Sequence, residues 1–293
     1  MTALRRRLAN PWGRPRFLAL VTLLYMVWSI APIVLAVRFS FNDGRSRSTV
    51  QGWSTRWYYD EPELSVWHDP SLREALFQSL QLAGLAMLIT VPLGMALGLA
   101  LTRWRGRGAG TARFTTLLPV VTPELVLGVA LFLTVINLFT FIQFGTGAQL
   151  MGHVTFSLAF VVIIIRGRLL SIGRQYEEAA MDLGASPVQA LRLALLPLLM
   201  PAVFASFMIV FAISIDDFVI SQYLSSDAST ETIPVKIYAN ARGAPTPALN
   251  ALASVMLFAT IIAVALAFLI LRVAKRSHGE AGSAVSDFAQ LRV

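Results

Sequence analysis

Long stretches with almost no charge constrain this chain more than anything else, because a helix of about 20 apolar residues is what crosses a bilayer core of about 30 Å. Six such runs are read, over residues 17–37, 77–101, 116–139, 147–165, 198–224 and 250–271. They account for a composition that is 56% hydrophobic and only 14% charged over 293 residues, where a soluble domain carries about a quarter charged residues. The runs are long and continuously apolar, not short and alternating, which predicts spanning helices and not a closed barrel. The expected fold class is therefore an all-α membrane protein with six transmembrane helices. The first run follows an Arg-rich start but exceeds a signal core and lacks a small-x-small exit, so it is read as a retained span.

The charges between the runs set the orientation. Arg5, Arg6, Arg7, Arg14 and Arg16 precede the first, and Arg103, Arg105, Arg107 and Arg113 lie between the second and third. Arg166, Arg168, Arg174 and Arg192 lie between the fourth and fifth, and Arg272, Lys275, Arg276 and Arg292 follow the last. That places 17 of the 24 Lys and Arg on one side. By the positive-inside rule this side is the cytoplasm, and an even number of spans puts both termini there. The net charge of +8 thus reads as topology, with no nucleic-acid partner. The expected division is a cytoplasmic basic N-terminus (1–16), a six-helix domain (17–272) and a cytoplasmic tail (273–293).

Two loops remain for the outer side, 38–76 and 225–249. The first carries Trp53, Trp57, Tyr58, Tyr59 and Trp67, residue types that favour the lipid headgroup level. Ser71-Leu72-Arg73-Glu74 has capping-box spacing and predicts a helix start leading into the second span. Gly94 and Gly98, four apart in that span, predict a close helix–helix contact.

Function classes are narrowed by what is missing. Cys is absent, so no thiolate site is available, and His68, His153 and His278 are far apart in sequence. No Gly-x-x-x-x-Gly-Lys-Ser/Thr loop is present to hold nucleotide phosphates. No filter-like loop or charged ring marks a channel. A secondary transporter is expected to show inverted repeats or broken central helices, and the sequence displays neither.

The segment between the fourth and fifth spans carries the strongest signal. Glu177-Glu178-Ala179-Ala180-Met181-Asp182-Leu183-Gly184-Ala185-Ser186-Pro187 reads as a polar helix, a glycine turn and a second helix running through Leu196-Pro197 into span five. Ala179 and Ala180 let another protein approach closely, Gly184 permits positive φ, and Pro187 suits a first helical turn. A surface helix joined directly to a spanning helix works as a lever; an ordinary surface loop is the plainer alternative.

Glu178-Ala179-Ala180, then Gly184 and Leu196-Pro197, resembles the EAA loop of ABC importer permeases. Ala194 departs from the isoleucine usual there. Phe39-Ser40-Phe41-Asn42, Gln78-Ser79-Leu80 (with Gln where the family has Asn), Leu118-Pro119, Pro123-Glu124, Gly128 and Gly152-His153-Val154-Thr155-Phe156 extend the likeness. So do Ser214-Ile215-Asp216-Asp217-Phe218, Ile233-Pro234-Val235-Lys236-Ile237-Tyr238 and Thr246-Pro247-Ala248-Leu249-Asn250-Ala251-Leu252-Ala253. Together they resemble the second permease subunit of spermidine/putrescine-type systems, with Ala159 standing where relatives often have Pro.

This resemblance implies a bacterial inner-membrane subunit with no catalysis and no cofactor of its own. Its coupling loop, 167–197, would engage a separate ATPase through Glu178, Ala179, Ala180, Asp182, Gly184, Leu196 and Pro197. It further implies a second permease subunit, two ATPase subunits carrying ATP and Mg, and an extracytoplasmic binding protein. The same machinery serves other small solutes: opine- or amino-acid-like compounds, phosphonate, thiamine or iron.

Three acids lie within the apolar runs: Glu124, Asp216 and Asp217. A charge near the bilayer centre costs about 2.5–3.5 kcal/mol on insertion scales, so it faces protein or water. They are candidates for the pathway of a cationic cargo, with interhelical bonding as the alternative. Adjacent helical positions point about 100° apart, so Asp216 and Asp217 are expected on different faces.

Overall fold

The computed structural model describes residues 16–46, 49–243 and 247–277. The expected N-terminal segment up to residue 15, the tail from His278 and Thr246 of the last motif lie outside them. All regular elements among the described residues are helical. In chain order they are α1 Arg16–Ser40, α2 Pro70–Arg103, α3 Ala109–Val121, α4 Glu124–Asn137, α5 Thr146–Ile172, α6 Gln175–Asp182 and α7 Pro187–Ala190. A π turn, Leu191–Leu195, joins α7 to α8 Leu196–Asp216, followed by α9 Val219–Leu224, α10 Ile233–Gly243 and α11 Pro247–Ser277. Among the described residues, five helices are long and apolar enough to cross a membrane, or six if the bent pair α3–α4 forms one span.

Two expected spans are not the single helices that hydropathy predicts. The third, read as 116–139, is bent by 108° between α3 and α4. Pro123 lacks an N–H and pushes its predecessor out of the helical region, and Thr122 accordingly sits at ψ 129°. The fifth, read as 198–224, stops at Asp216; Asp217 is extended at ψ 121°, and α9 restarts at Val219. The expectation of unbroken central helices is therefore overturned.

A central bundle of α2, α5 and α8 holds the main core, in which Val91, Val161, Ile165, Leu195, Leu199 and Val210 are buried together. Gly94 and Gly98 have the contact expected of them. A Cβ on Gly94 would lie 2.5 Å from Val161 Cγ1, and one on Gly98 would lie 3.0 Å from Ile165 Cγ2, so α5 packs directly on the α2 backbone. In contrast, α1 buries nothing of its apolar window within the chain, and among the other helices it packs mainly on α11. A helix apolar on all sides is one made for lipid or another subunit.

The loop between α1 and α2 is packed around its own core. Trp57 is fully buried with Val66, Leu72, Ile233 and Leu252, and its indole N–H donates to Asn42 O at 2.6 Å. This corrects the headgroup reading for Trp57: its N–H is satisfied by backbone, so the ring is used as core. Tyr58 joins it through a 2.7 Å hydrogen bond to Ser40 Oγ, whereas Trp53, Tyr59 and Trp67 are exposed. Arg56, hydrogen-bonded to Glu61 and aided by Arg45, holds that carboxyl below the usual carboxylate range. The cap of α2 is also corrected. Asp69, not Ser71, accepts from Ser71 N at 2.9 Å, with Pro70 in the first helical position.

Candidate functional site

One tip of the molecule is built from α6, α7 and the turn between them. Leu183 N donates to Ala179 O and Gly184 N to Met181 O, closing α6. Gly184 then takes φ +91°, a region that a side chain disfavours. Ser186 and Gln189 form a reciprocal capping box at the start of α7, with Pro187 in the first turn. Beyond it Pro197 has no N–H for Leu193 O. The π turn, in which Leu196 N reaches back to Leu191 O, lets the chain continue without ending the helix. Pro187 to Asp216 is thus one continuous rod.

Every residue of α6 keeps some exposure. Glu178, Ala179, Asp182 and Gly184 are exposed, as is Pro197, while Ala180 and Leu196 are half-buried. The tip also shows apolar side chains to solvent: Leu183 is 90% exposed, and Val188 and Leu193 are nearly as open. Glu177 differs from its neighbour. It turns inward and pairs with Arg103 at the end of α2. This pair is not legible in the sequence, because its partners lie 74 residues apart on separate helices.

At the opposite end the break between α8 and α9 separates the two adjacent acids. Asp216 is exposed and lines a cavity of about 740 Å³ shared by α8, α10 and α11, with Ala212, Phe218, Pro234, Tyr238 and Thr260 among its walls. The Phe218 and Tyr238 rings meet there at 4.6 Å, and the Arg242 guanidinium sits 4.5 Å over Tyr238.

Asp217 turns the other way and is 5% exposed. Its Oδ1 accepts from Ser221 N at 2.9 Å, capping α9, and lies 3.6 Å from His153 Nε2. Its Oδ2 has no hydrogen-bond donor among the described residues; Glu124, at the start of α4, is the acid beside it. The structure thus brings Glu124 and Asp217 together and sends Asp216 elsewhere.

Polar side chains of α5 tie the two sides of the break together, giving buried polar groups there their partners. His153 is hydrogen-bonded to Ser214 Oγ at 2.7 Å and to Ser221 Oγ at 3.1 Å. One turn earlier, Gln149 Nε2 donates to Ser221 O and Thr230 O and its Oε1 accepts from Gln78 of α2. Between them Gly152 lets α9 come close: a Cβ there would meet Ile220 Cγ2 at 2.5 Å. The sequence motif around Gly152 and His153 was visible, but its role as a clasp on α9 was not.

Residues 90–277 match the family model described as the binding-protein-dependent transport system inner membrane component. The chain is 33% identical over 253 residues to the putrescine transport system permease protein PotI of Escherichia coli (strain K12), covering 85% of this chain and 86% of that one. It is 34% identical over 241 residues to the spermidine/putrescine transport system permease protein PotC of the same strain, covering 82% and 88%. Among solved structures, a bacterial ABC transporter involved in the import of alginate superposes with a TM-score of 0.68 at 15% identity, over 89% of this chain and 94% of that one. An inward-facing MetNI methionine ABC transporter superposes with a TM-score of 0.58 at 18% identity, over 69% and 95%. Both share its fold.

Proposed function

The chain belongs to the family of binding-protein-dependent transport system inner membrane components, and from that premise we propose that it forms half of the pathway by which a small polyamine enters the cell. The observation that carries this reading is the uninterrupted helix from Pro187 to Asp216. One of its ends is an exposed, apolar-tipped turn and the other is a carboxylate in a cavity. Such a rod delivers movement at the tip to the cavity wall.

In this reading Glu178, Ala179, Ala180, Asp182 and Gly184 dock with Leu183 into a groove of a separate ATPase, and Leu196 and Pro197 start the rod. The ATPase supplies hydrolysis with ATP and Mg, because this chain carries no phosphate-binding loop. A second permease completes the pathway, a binding protein delivers cargo from outside, and both termini face the cytoplasm. Asp216 attracts the ammonium groups of the cargo, while the Phe218 ring favours a cation at its face and apolar walls suit methylene chains. Asp217 and Glu124 belong to the clasp that holds the break.

The test is uptake by the chain assembled in liposomes with a second permease subunit, an ATPase subunit and a polyamine-binding protein from its own organism. ATP-dependent accumulation of putrescine or spermidine is expected, blocked by excess of either. Accumulation of an amino acid, phosphonate, thiamine or iron without polyamine transport would replace the cargo reading while leaving the machinery in place.

A further inference from the structure

The geometry points to α2 as a second rod that carries movement of α6 to the roof of the Asp216 cavity, with the Arg103–Glu177 pair as its inner joint. This rests on the reading of α6 as the ATPase-coupling element.

Apart from its own turn, α6 packs chiefly on α7 and the π turn that follow it. Among the described residues, Arg103–Glu177 is the one ion pair joining it to a spanning helix. Glu177 is well covered and Arg103 less so, so the pair closes the inner side of the tip. The joint is braced from behind, since Arg113 of α3 donates to Leu101 O and Trp104 O and fixes the end of α2.

From Arg103 the helix runs back through Gly98 and Gly94, where α5 touches its backbone, to Ser79. At about 1.5 Å per residue, Ser79 and Arg103 are roughly 36 Å apart. Ser79 Oγ accepts from Ile233 N at 2.8 Å, the first residue of α10. Pro234, Ile237, Tyr238 and Ala241 of that helix wall the cavity. One helix therefore holds the coupling tip at one end and the cavity roof at the other. The rod through α8 moves the wall bearing Asp216; α2 moves the wall facing it. The cavity opens only when both respond. Arg103, Glu177 and Ser79 are positioning residues in this scheme.

The test uses the assembled complex in liposomes and reads cargo transported per ATP hydrolysed. Arg103→Gln and Glu177→Gln are each expected to lower that ratio about two- to fivefold, the range that an exposed ion pair's coupling energy allows. Basal ATPase activity and co-purification with the ATPase should persist. The exchange R103E/E177R is expected to restore the ratio, and Arg105→Gln, in the loop that follows α2, to leave it unchanged. Single variants at the wild-type ratio, or an exchange no better than the singles, overturn the inference. Gly184→Asp in the same assay separates the two levels. If it uncouples while Arg103→Gln does not, only the α2 rod falls; if it too is silent, the coupling reading falls with it.

Discussion

His153 Nε2 lies 3.6 Å from Asp217 Oδ1 while the opposite ring nitrogen is held by Ser214 Oγ at 2.7 Å. One imidazole of α5 thus spans the gap between α8 and α9, contacting residues on each side of the break. Two chain ends inside an apolar bundle would not stay in register without such a tie, because each carries polar groups that need partners.

Replacing His153 with Ala should therefore destabilise the protein, leaving Ser214 and Ser221 without their ring partner at a cost of about 1–3 kcal/mol for each group stranded. His153→Gln keeps polar atoms at the reach of Nε2, toward Ser221, but has none at the position of Nδ1, so its stability should fall between alanine and the wild type. Thermal unfolding of the detergent-solubilised chain measures this. An alanine variant that melts with the wild type would mean that the break holds itself together.

The two aspartates should respond in opposite ways. Asp216→Asn removes the charge from the cavity wall and is expected to reduce polyamine uptake several-fold, since a charge-assisted contact is worth about twice a neutral one. Folding should be untouched, because Asp216 is exposed. Asp217→Asn keeps an acceptor for Ser221 N and should alter stability more than transport. Uptake rates at matched membrane levels, with unfolding temperature alongside, separate the effects. Equal and full transport by both variants would remove the cationic-cargo argument from these residues.

Hydropathy and motif spacing together made much of this legible. The apolar runs located the helices, Gly94 and Gly98 marked a real contact, and Gly184 and Pro187 marked the turn that the backbone adopts. What escaped has a common cause. Runs of apolar residues look alike whether or not the helix within them is continuous, so the bend at Pro123 and the stop at Asp217 were hidden. Trp57 was misjudged because an aromatic in an outer loop has two possible uses, and the choice between them rests on a backbone acceptor, Asn42 O, distant in sequence. The neighbouring glutamates of α6 likewise look alike in sequence, and only Arg103, distant along the chain, sets Glu177 apart.

The close approach of α9 to α5 at Gly152 gives a steric prediction. With Ile220 Cγ2 only 2.5 Å from the place a Cβ would occupy, Gly152→Val has to push α9 away from its clasp. Overpacking of this kind costs about 1–3 kcal/mol, and the displaced α9 should loosen the Asp217 cap. Limited proteolysis of the 225–243 segment in membranes should quicken, while cleavage in the loop before α2 stays at the wild-type rate. An unaltered cleavage pattern would show that α9 can shift without releasing the break.

Orientation can be read directly, because the chain has no Cys of its own. Glu63→Cys lies in the outer loop and Arg105→Cys beside the arginines between α2 and α3. An impermeant thiol reagent added to intact cells should label the first and reach the second only after the membrane is opened. The opposite pattern would invert the topology and remove α6 from the side where an ATPase works.

The turn at Gly184 carries the last prediction. Its φ of +91° is costly for any residue with a Cβ, yet open space surrounds it: no heavy atom outside its immediate neighbours stands within 4 Å of where a Cβ would be. Gly184→Ala therefore tests backbone conformation with little added bulk, whereas Gly184→Asp adds a branched, charged group beside the exposed Leu183. If the turn only needs its shape, both should impair coupling alike, by the 1 kcal/mol or so that separates glycine from other residues in this region. If the surface around Leu183 is a docking face, alanine should be mild and aspartate severe, with ATPase activity no longer stimulated by cargo-loaded binding protein. The second outcome is expected, because the tip is apolar and a buried unpaired carboxylate is far costlier than a strained turn. Cargo-stimulated ATPase activity of the two reconstituted complexes, compared at equal ATPase content, distinguishes them; a normal response from the aspartate variant would mean that α6 is not where the ATPase is felt.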